Sequence, residues 1–73
     1  MKRKPLQILL DKVGHKMIAD FLNVNISVVY RWQYREQGKK GGRRPNVYHS
    51  VRLAKIANGE GIKSLTVDYL ARL

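Results

Sequence analysis

The sequence predicts an all-α domain of four to five short helices. Apolar residues recur at three- and four-residue spacing in several segments, and residues that begin or end helices flank these segments. The chain has 73 residues and no Cys, so neither disulfides nor a cysteine-ligated zinc can reinforce its core. Apolar residues make up 44% of the chain, which suits a compact globule. We expect one domain over residues 5–73, preceded by a basic arm at residues 1–4.

The first predicted helix begins at Pro5, because the backbone N–H that proline lacks would be unpaired at that position. Gly14 is placed to end it. Between them, four apolar residues follow at helical spacing: Leu6, Leu9, Leu10 and Val13. This amphipathic helix is predicted to be structural.

The next segment, from His15 to about Glu36, predicts two helices joined by a tight corner. The first helix places Ile18, Ala19 and Leu22 on one side, and the second places Val29 and Trp32 inward. Such a corner needs a residue in the left-handed conformation, which Asn tolerates best after Gly. Asn23 stands at that position.

The second helix of the pair is expected to run from Ile26 to about Gln37 and to stop at Gly38. Asn25 can cap its amino end by accepting from backbone N–H groups, and Ser27 is the alternative cap one turn later.

The helix pair resembles the helix-turn-helix of small phage repressors of the Cro and lambda-repressor kind. The resemblance lies in Ile18-Ala19, Leu22-Asn23-Val24 and Val29-Tyr30-Arg31-Trp32. It covers roughly twenty contiguous residues, with a helical frame on both sides. The chain departs from the family at Asn23, where Gly is usual, and at Ile26, where a polar side chain is common. The resemblance implies a sequence-specific regulator of transcription that binds double-stranded DNA, of the Cro repressor type, with its second helix in the major groove.

Base contacts are expected from the outward side of that helix, opposite Val29 and Trp32. Arg31 is the strongest candidate, because its guanidinium can form paired hydrogen bonds with guanine O6 and N7. Ser27 and Ile26 would meet a base edge and a thymine methyl group. Tyr30 and Tyr34 would donate to phosphate or stack, although Tyr34 could instead pack partly against a neighbouring helix.

Contacts to the DNA backbone are expected on both sides of the helix pair. His15 and Lys16 begin its first helix, where N–H groups attract phosphate. Residues 37–45 form a basic loop whose glycines would keep it flexible and let its backbone approach a phosphate. Its basic residues are Lys39, Lys40, Arg43 and Arg44. In the arm, Lys2, Arg3 and Lys4 have nothing to bury, and they either fray in solvent or lie along DNA.

The C-terminal part predicts two further helices. Pro45 opens the first, which ends at Asn58-Gly59 and has Val47, Val51, Ala54 and Ala57 on its inward side. Ser64 can cap the last one, in which Leu65, Tyr69, Leu70 and Leu73 recur at helical spacing. A short strand or hairpin in residues 62–73 is the lesser alternative. The apolar residues of this tail either complete the core of the monomer or contact a second copy of the chain.

The net charge points to a polyanionic partner. Fifteen Lys and Arg residues against five acids give a formal charge of +10. The apolar runs are far shorter than the roughly twenty residues that span a bilayer, and the N-terminus lacks the pattern of a signal peptide, so a cytoplasmic location is expected. The five acids are scattered, and His15 and His49 lie far apart. We therefore predict no enzyme, metal, cofactor or small-molecule substrate.

The expected partners are an operator in double-stranded DNA and a second copy of the chain, at least on DNA. Three other functions remain open from the residues alone. The chain could be an excisionase-like or architectural factor that bends DNA, an antitoxin-type regulator with a protein partner, or a small basic RNA-binding protein. Against the RNA-binding alternative, the chain lacks the aromatic-sheet and glycine-loop signatures of common RNA-binding modules.

Overall fold

A computed structural model describes residues 4–73, and all regular structure in this range is helical. The five helices are α1 (Pro5–Val13), α2 (His15–Leu22), α3 (Ile26–Glu36), α4 (Val47–Gly59) and α5 (Val67–Ala71). The predicted all-α fold class is confirmed, and residues 62–73 contain neither a strand nor a hairpin. Within the described range, no helix has both the length and the hydrophobicity needed to traverse a bilayer.

One hydrophobic core joins the five helices. α1 packs against α2 and α3, and α4 packs against α5. Val29 and Trp32, predicted to face inward from α3, are 0% and 2% exposed. The buried apolar residues are Leu6, Leu9, Leu10, Ile18, Ala19, Leu22, Val29, Trp32, Leu53, Ala57, Ile62, Leu65 and Leu70.

The corner between α2 and α3 forms at the predicted residue. Asn23 adopts the left-handed conformation, with φ 55° and ψ 47°. The backbone N–H of Val24 donates to the Ala19 carbonyl at 3.0 Å, and that of Asn23 donates to the Asp20 carbonyl at 3.3 Å. These two bonds define a Schellman motif, which lets the chain leave α2 sharply. The Asn25 side chain then accepts from the Ser27 N–H at 3.0 Å, so Asn25 rather than Ser27 caps α3.

The buried side of α4 differs from the prediction. Val47 and Val51 are 73% and 38% exposed, whereas Ser50, Leu53 and Ala57 are buried. The prediction followed the valines, whose four-residue spacing also marks a helical stripe. In the structure Leu53 occupies the centre of the buried side instead, and of the predicted set only Ala57 is buried. The helix begins at Val47, where the Asn46 side chain caps it by accepting from the His49 N–H at 2.8 Å.

The cap of the last helix stands two residues later than predicted. Thr66, not Ser64, caps α5, and its hydroxyl oxygen accepts from the Tyr69 N–H at 3.0 Å. Of the four residues predicted to recur along this helix, only Tyr69 and Leu70 lie in it; Leu65, before the helix, is nevertheless buried, as is Leu70. Tyr69 and Leu73 are partly buried against the same core. Much of the apolar surface of the tail therefore seals the monomer.

Glu36, at the end of α3, is buried with only 3% of its surface exposed. Its carboxylate oxygens accept from the backbone N–H of Leu6 at 2.8 Å, from that of Gln7 at 2.9 Å and from the Tyr69 hydroxyl at 2.8 Å. Lys4, the residue before α1, has no capping side chain, so the Glu36 carboxylate serves as the cap of α1. The sequence analysis gave this acid no such role.

Tyr69 is affected by this arrangement. Burial raises the pKa of its hydroxyl, and the hydrogen bond to Glu36 and the negative charge of that carboxylate raise the pKa further. The folded state therefore holds the Tyr69 proton more tightly than the unfolded chain does. The stability gained from this proton is fully present below about pH 10 and is lost as the pH rises above that value.

We predict that Asn23→Ala lowers the free energy of unfolding by about 1 kcal/mol, because alanine adopts the left-handed conformation less readily than asparagine does. Asn23→Gly should match or exceed the parent stability. Urea unfolding followed by circular dichroism measures both. Asn58→Ala, at an exposed helical position in α4, is the matched control and should be nearly neutral. Equal stability of Asn23→Ala and the parent would contradict the role given to this residue.

We also predict that the protein loses stability between about pH 10 and about pH 12 more steeply than a Tyr69→Phe variant, by up to about 1.4 kcal/mol for each pH unit. The variant has no hydroxyl to ionise on unfolding. Urea unfolding across this pH range measures the two slopes. Tyr34→Phe, on the exposed side of α3, should retain the parent slope. Parallel slopes for the parent and Tyr69→Phe would refute the assignment.

Candidate nucleic-acid interface

The outer face of α3 consists of the five residues predicted to contact bases. They project from the side opposite Val29, Trp32 and Glu36, and all are exposed: Ile26, Ser27, Tyr30, Arg31 and Tyr34. Ile26, Tyr30 and Tyr34 are 38–40% exposed, which is high for large apolar or aromatic side chains. Tyr34 is therefore not buried, although more than half of its surface is covered. The structure brings these side chains together on one surface, and their contacts with bases remain a prediction.

His15, the first residue of α2, lies beside this face. Its ring stacks on Tyr30 with a centroid distance of 4.3 Å and an interplanar angle of 10°. The Tyr30 ring in turn lies 6.5 Å from that of Tyr34. Lys16 is exposed next to His15, and both border an open groove with Ile26 and Tyr30. The predicted backbone contacts of α2 thus adjoin the predicted base contacts of α3.

A chain of hydrogen-bonded side-chain amides ends at the His15 ring. His15 Nε2 lies 2.6 Å from Gln33 Oε1, and Gln33 Nε2 donates to Gln7 Oε1 at 2.9 Å. Gln37 Nε2 donates to the same oxygen at 3.0 Å, while Gln7 Nε2 donates to Asp11 Oδ1 at 2.9 Å. The chain joins α1, α2 and α3. It was not predicted, and no local pattern in the sequence indicates it; Gln33 and Gln37 stand one turn apart on the side of α3 toward α1.

The basic loop begins with a second Schellman motif. Gly38 has a φ of 74°, its N–H donates to the Arg35 carbonyl, and the Lys39 N–H donates to the Tyr34 carbonyl at 2.8 Å. The predicted stop at Gly38 therefore agrees with the observed end of α3 at Glu36. Lys39 and Lys40 follow as exposed side chains beside the outer face of α3.

At Gly42 the loop packs against α3, whereas a flexible loop was expected. The loop returns to α3 so closely that a Cβ on Gly42 would overlap the backbone nitrogen of Arg35 and lie 2.5 Å from its Cα. The next residue, Arg43, donates its backbone N–H to the Arg31 carbonyl at 3.0 Å. The missing side chain at Gly42 thus lets the loop pack on α3. The expectation of a flexible glycine loop is wrong at this position.

Three arginines meet where the loop reaches α3. Arg31, Arg43 and Arg44 are exposed and line one cleft of about 280 Å³ together with Val28 and Trp32. Arg44 has a structural contact as well, because its Nη1 donates to the Ala71 carbonyl at the end of α5 at 3.0 Å. Part of the Arg44 guanidinium is therefore engaged within the fold, and Arg43 is the simpler candidate for a phosphate contact.

The predicted arm is shorter than residues 1–4. Lys4 donates its Nζ to the Glu36 carbonyl at 2.9 Å and precedes α1 directly, so its side chain belongs to the fold. Lys4 is exposed, as expected of a residue with nothing to bury, but its side chain is held by α3 rather than free in solvent. Lys2 and Arg3, the other two predicted arm contacts, lie outside the described residues.

Charge is distributed unevenly along the chain. Between Ile26 and Asn58 the sequence has eight Lys and Arg residues and a single acid, Glu36. Because Glu36 is buried and its carboxylate faces α1 and α5, this stretch presents no acidic side chain to solvent. The exposed charges of α3 and of the basic loop are therefore all positive, whereas Asp20 of α2 lines the groove beside Ile26 and Tyr30.

We predict that Gly42→Ala lowers the free energy of unfolding by about 1–3 kcal/mol, because the new methyl group pushes the loop off α3 and breaks the Arg43–Arg31 backbone bond. Urea unfolding measures the loss. Gly59→Ala is the control, because a Cβ there meets nothing within 4 Å and the residue is helical. That variant should match or exceed the parent. If Gly42→Ala unfolds at the parent urea concentration, the close packing of the loop does not exist.

Comparisons of this chain with protein-family models, with curated proteins and with solved structures found no match.

Proposed function

We propose that this protein is a sequence-specific regulator of transcription that binds double-stranded DNA through α3 and acts as a repressor of the Cro type. The observation that carries the proposal is the outer face of α3. This face combines hydrogen-bonding, aromatic and cationic side chains, is held out by a tight corner at Asn23, and is flanked by basic groups from α2 and the loop.

In this proposal α3 lies in the major groove, which is wide enough to admit a helix. Arg31 pairs with a guanine, and Ser27 and Ile26 meet a base edge and a thymine methyl group near the amino end of the helix. Tyr30 and Tyr34 stack or donate to phosphates. None of these side chains is needed in the hydrophobic core, which is why α3 can vary its outer face without loss of the fold.

The flanking cations hold the helix on the duplex. His15 and Lys16 on one side, and the loop on the other, would contact phosphates across the groove. Lys39, Lys40 and Arg43 carry the loop contribution, with Arg44 shared between DNA and α5. Each phosphate contact releases counterions, so affinity falls steeply with salt.

Two copies on one operator would explain how so small a surface reaches specificity. The molecule measures 29 × 29 × 21 Å. Two copies of this size fit without overlap on half-sites one helical turn, about 34–36 Å, apart. A bound dimer would repress by covering the operator and excluding polymerase.

Selection of bound sequences from a random duplex pool at about 150 mM salt, where non-specific binding is weak, tests the proposal. Enrichment of a short inverted repeat with half-sites about one turn apart supports a dimeric repressor. Enrichment of direct repeats would favour an architectural or excisionase-like factor. The absence of any enriched sequence would refute the proposal, and RNA would then be tested.

We predict that Arg31→Ala lowers discrimination between the selected site and random DNA by about 1–3 kcal/mol. Arg43→Ala should instead weaken binding to all duplexes alike and reduce the slope of log affinity against log salt by about 0.9 for each lost phosphate contact. Titrations over a range of salt concentrations measure both effects.

Lys63→Ala, an exposed position between α4 and α5, is the control and should leave both quantities unchanged. Equal losses on specific and random DNA for Arg31→Ala would remove Arg31 from the base contacts.

A further inference from the structure

We propose that Gln33 is a positioning residue of the DNA-binding surface. Gln33 is hydrogen-bonded through Gln7 to Asp11, and it fixes the tautomer of the His15 ring. The His15 side chain can then donate to a DNA phosphate only by taking up a proton. This inference rests on the proposed function. Gln33 itself lies on the side of α3 toward α1, so it would act through His15 rather than on DNA.

The order of donors and acceptors along the amide chain follows from Asp11. An ionised carboxylate only accepts hydrogen bonds, so Gln7 must turn its NH₂ group toward Asp11 Oδ1, at 2.9 Å. The Gln7 oxygen then faces the NH₂ groups of Gln33 and Gln37, at 2.9 and 3.0 Å. This arrangement leaves the Gln33 oxygen pointing at His15, 2.6 Å from Nε2.

His15 is thereby left with one permitted neutral tautomer. The Gln33 oxygen can only accept, so His15 Nε2 must carry a proton. In a neutral imidazole the other nitrogen, Nδ1, then bears a lone pair and no hydrogen. A 180° flip of the ring would put the Cε1–H group in the place of Nε2 and so lose the bond to Gln33, and the stacking contact with Tyr30 at 4.3 Å restrains the ring against such rotation.

A phosphate requires a donor, and neutral His15 has none left at Nδ1. Only the imidazolium, with protons on both nitrogens, can keep the bond to Gln33 and also donate to a phosphate oxygen. That second bond joins a cation to an anion and is correspondingly strong. DNA binding through His15 therefore takes up one proton, and affinity rises as the pH falls.

In the last turn of α1, Asp11 Oδ1 accepts from Gln7 Nε2 at 2.9 Å and Lys12 Nζ donates to the Glu60 carbonyl at 2.9 Å. Lys16 and Asp20 of α2 line the same groove as His15, as does Tyr30 of α3. Among the types of side chain present here, histidine is the one whose charge ordinarily changes between about pH 5 and about pH 8.

The tautomer is tested first, in the free protein, by ¹⁵N NMR of the imidazole nitrogens at a pH where His15 is neutral. We expect Nε2 to be protonated and Nδ1 bare. In Gln33→Met, which has no side-chain oxygen, the two tautomers should both be populated. A protonated Nδ1 in the parent protein would overturn the inference without any bearing on DNA binding.

The proton uptake is tested by the Kd for the selected operator at fixed salt, between about pH 5.5 and about pH 8.5. For the parent, we expect Kd to rise about tenfold or more over this range. His15→Gln should show a flat profile, because an amide does not titrate. Gln33→Met should flatten the profile at its alkaline end, because a neutral ring can then present Nδ1–H to the phosphate.

Two variants serve as matched controls. Gln37→Met removes the other donor to Gln7 and leaves the chain from Asp11 to His15 intact, so it should keep the parent profile. His49→Gln removes the second histidine and should keep it as well.

The outcomes separate the two claims. Operator binding with no dependence on pH in the parent overturns the inference and leaves the proposed function standing. If His49→Gln abolishes the pH dependence of Kd and His15→Gln retains it, the inference is also overturned. Failure to bind any duplex overturns both.

Discussion

The Glu36 carboxylate holds together three helices that are far apart in the sequence. It accepts from two backbone N–H groups of α1 and from the Tyr69 hydroxyl of α5, while its own residue ends α3. A buried carboxylate is tolerated only when such donors surround it. Since α1 has no side-chain cap of its own, loss of this carboxylate would leave buried donors unpaired, each at a cost of about 1–3 kcal/mol. The position of α3 relative to the rest of the fold depends on this contact.

The same residue shapes the electrostatics of the surface. In a chain of net charge +10, the single acid between Ile26 and Asn58 is turned inward, so it neutralises nothing on the outer face of α3 or on the loop. Eight cations in that stretch repel one another, which destabilises the compact state. A bound polyanion would relieve this repulsion. The burial that organises the fold therefore also leaves the cationic surface that the proposed function requires.

Local patterns were sufficient for most of the fold and for part of the candidate site. Helix spacing, the left-handed Asn23 and the stop at Gly38 each depend on residues a few positions apart, and all appear as predicted. The inward side of α4 was predicted wrongly, because the helical stripe that contains Val47 and Val51 and the one centred on Leu53 are shifted by about one residue. The Glu36 cap, the Gln7–Gln33 bond and the packing of Gly42 had no local sign. They depend on backbone or side chains brought together by the folded chain.

The supports of α3 differ in kind from the groups proposed to touch DNA. Asn25 caps its start and a Schellman motif ends it, while Glu36 and the amides of Gln33 and Gln37 tie it to α1. These contacts order the helix before any ligand arrives, so binding through its outer face would cost little conformational entropy. Lys39 and Lys40, by contrast, are long and exposed, and ordering them on phosphates would cost more. Selectivity should therefore come from the rigid helix, and the loop lysines should add affinity that salt removes.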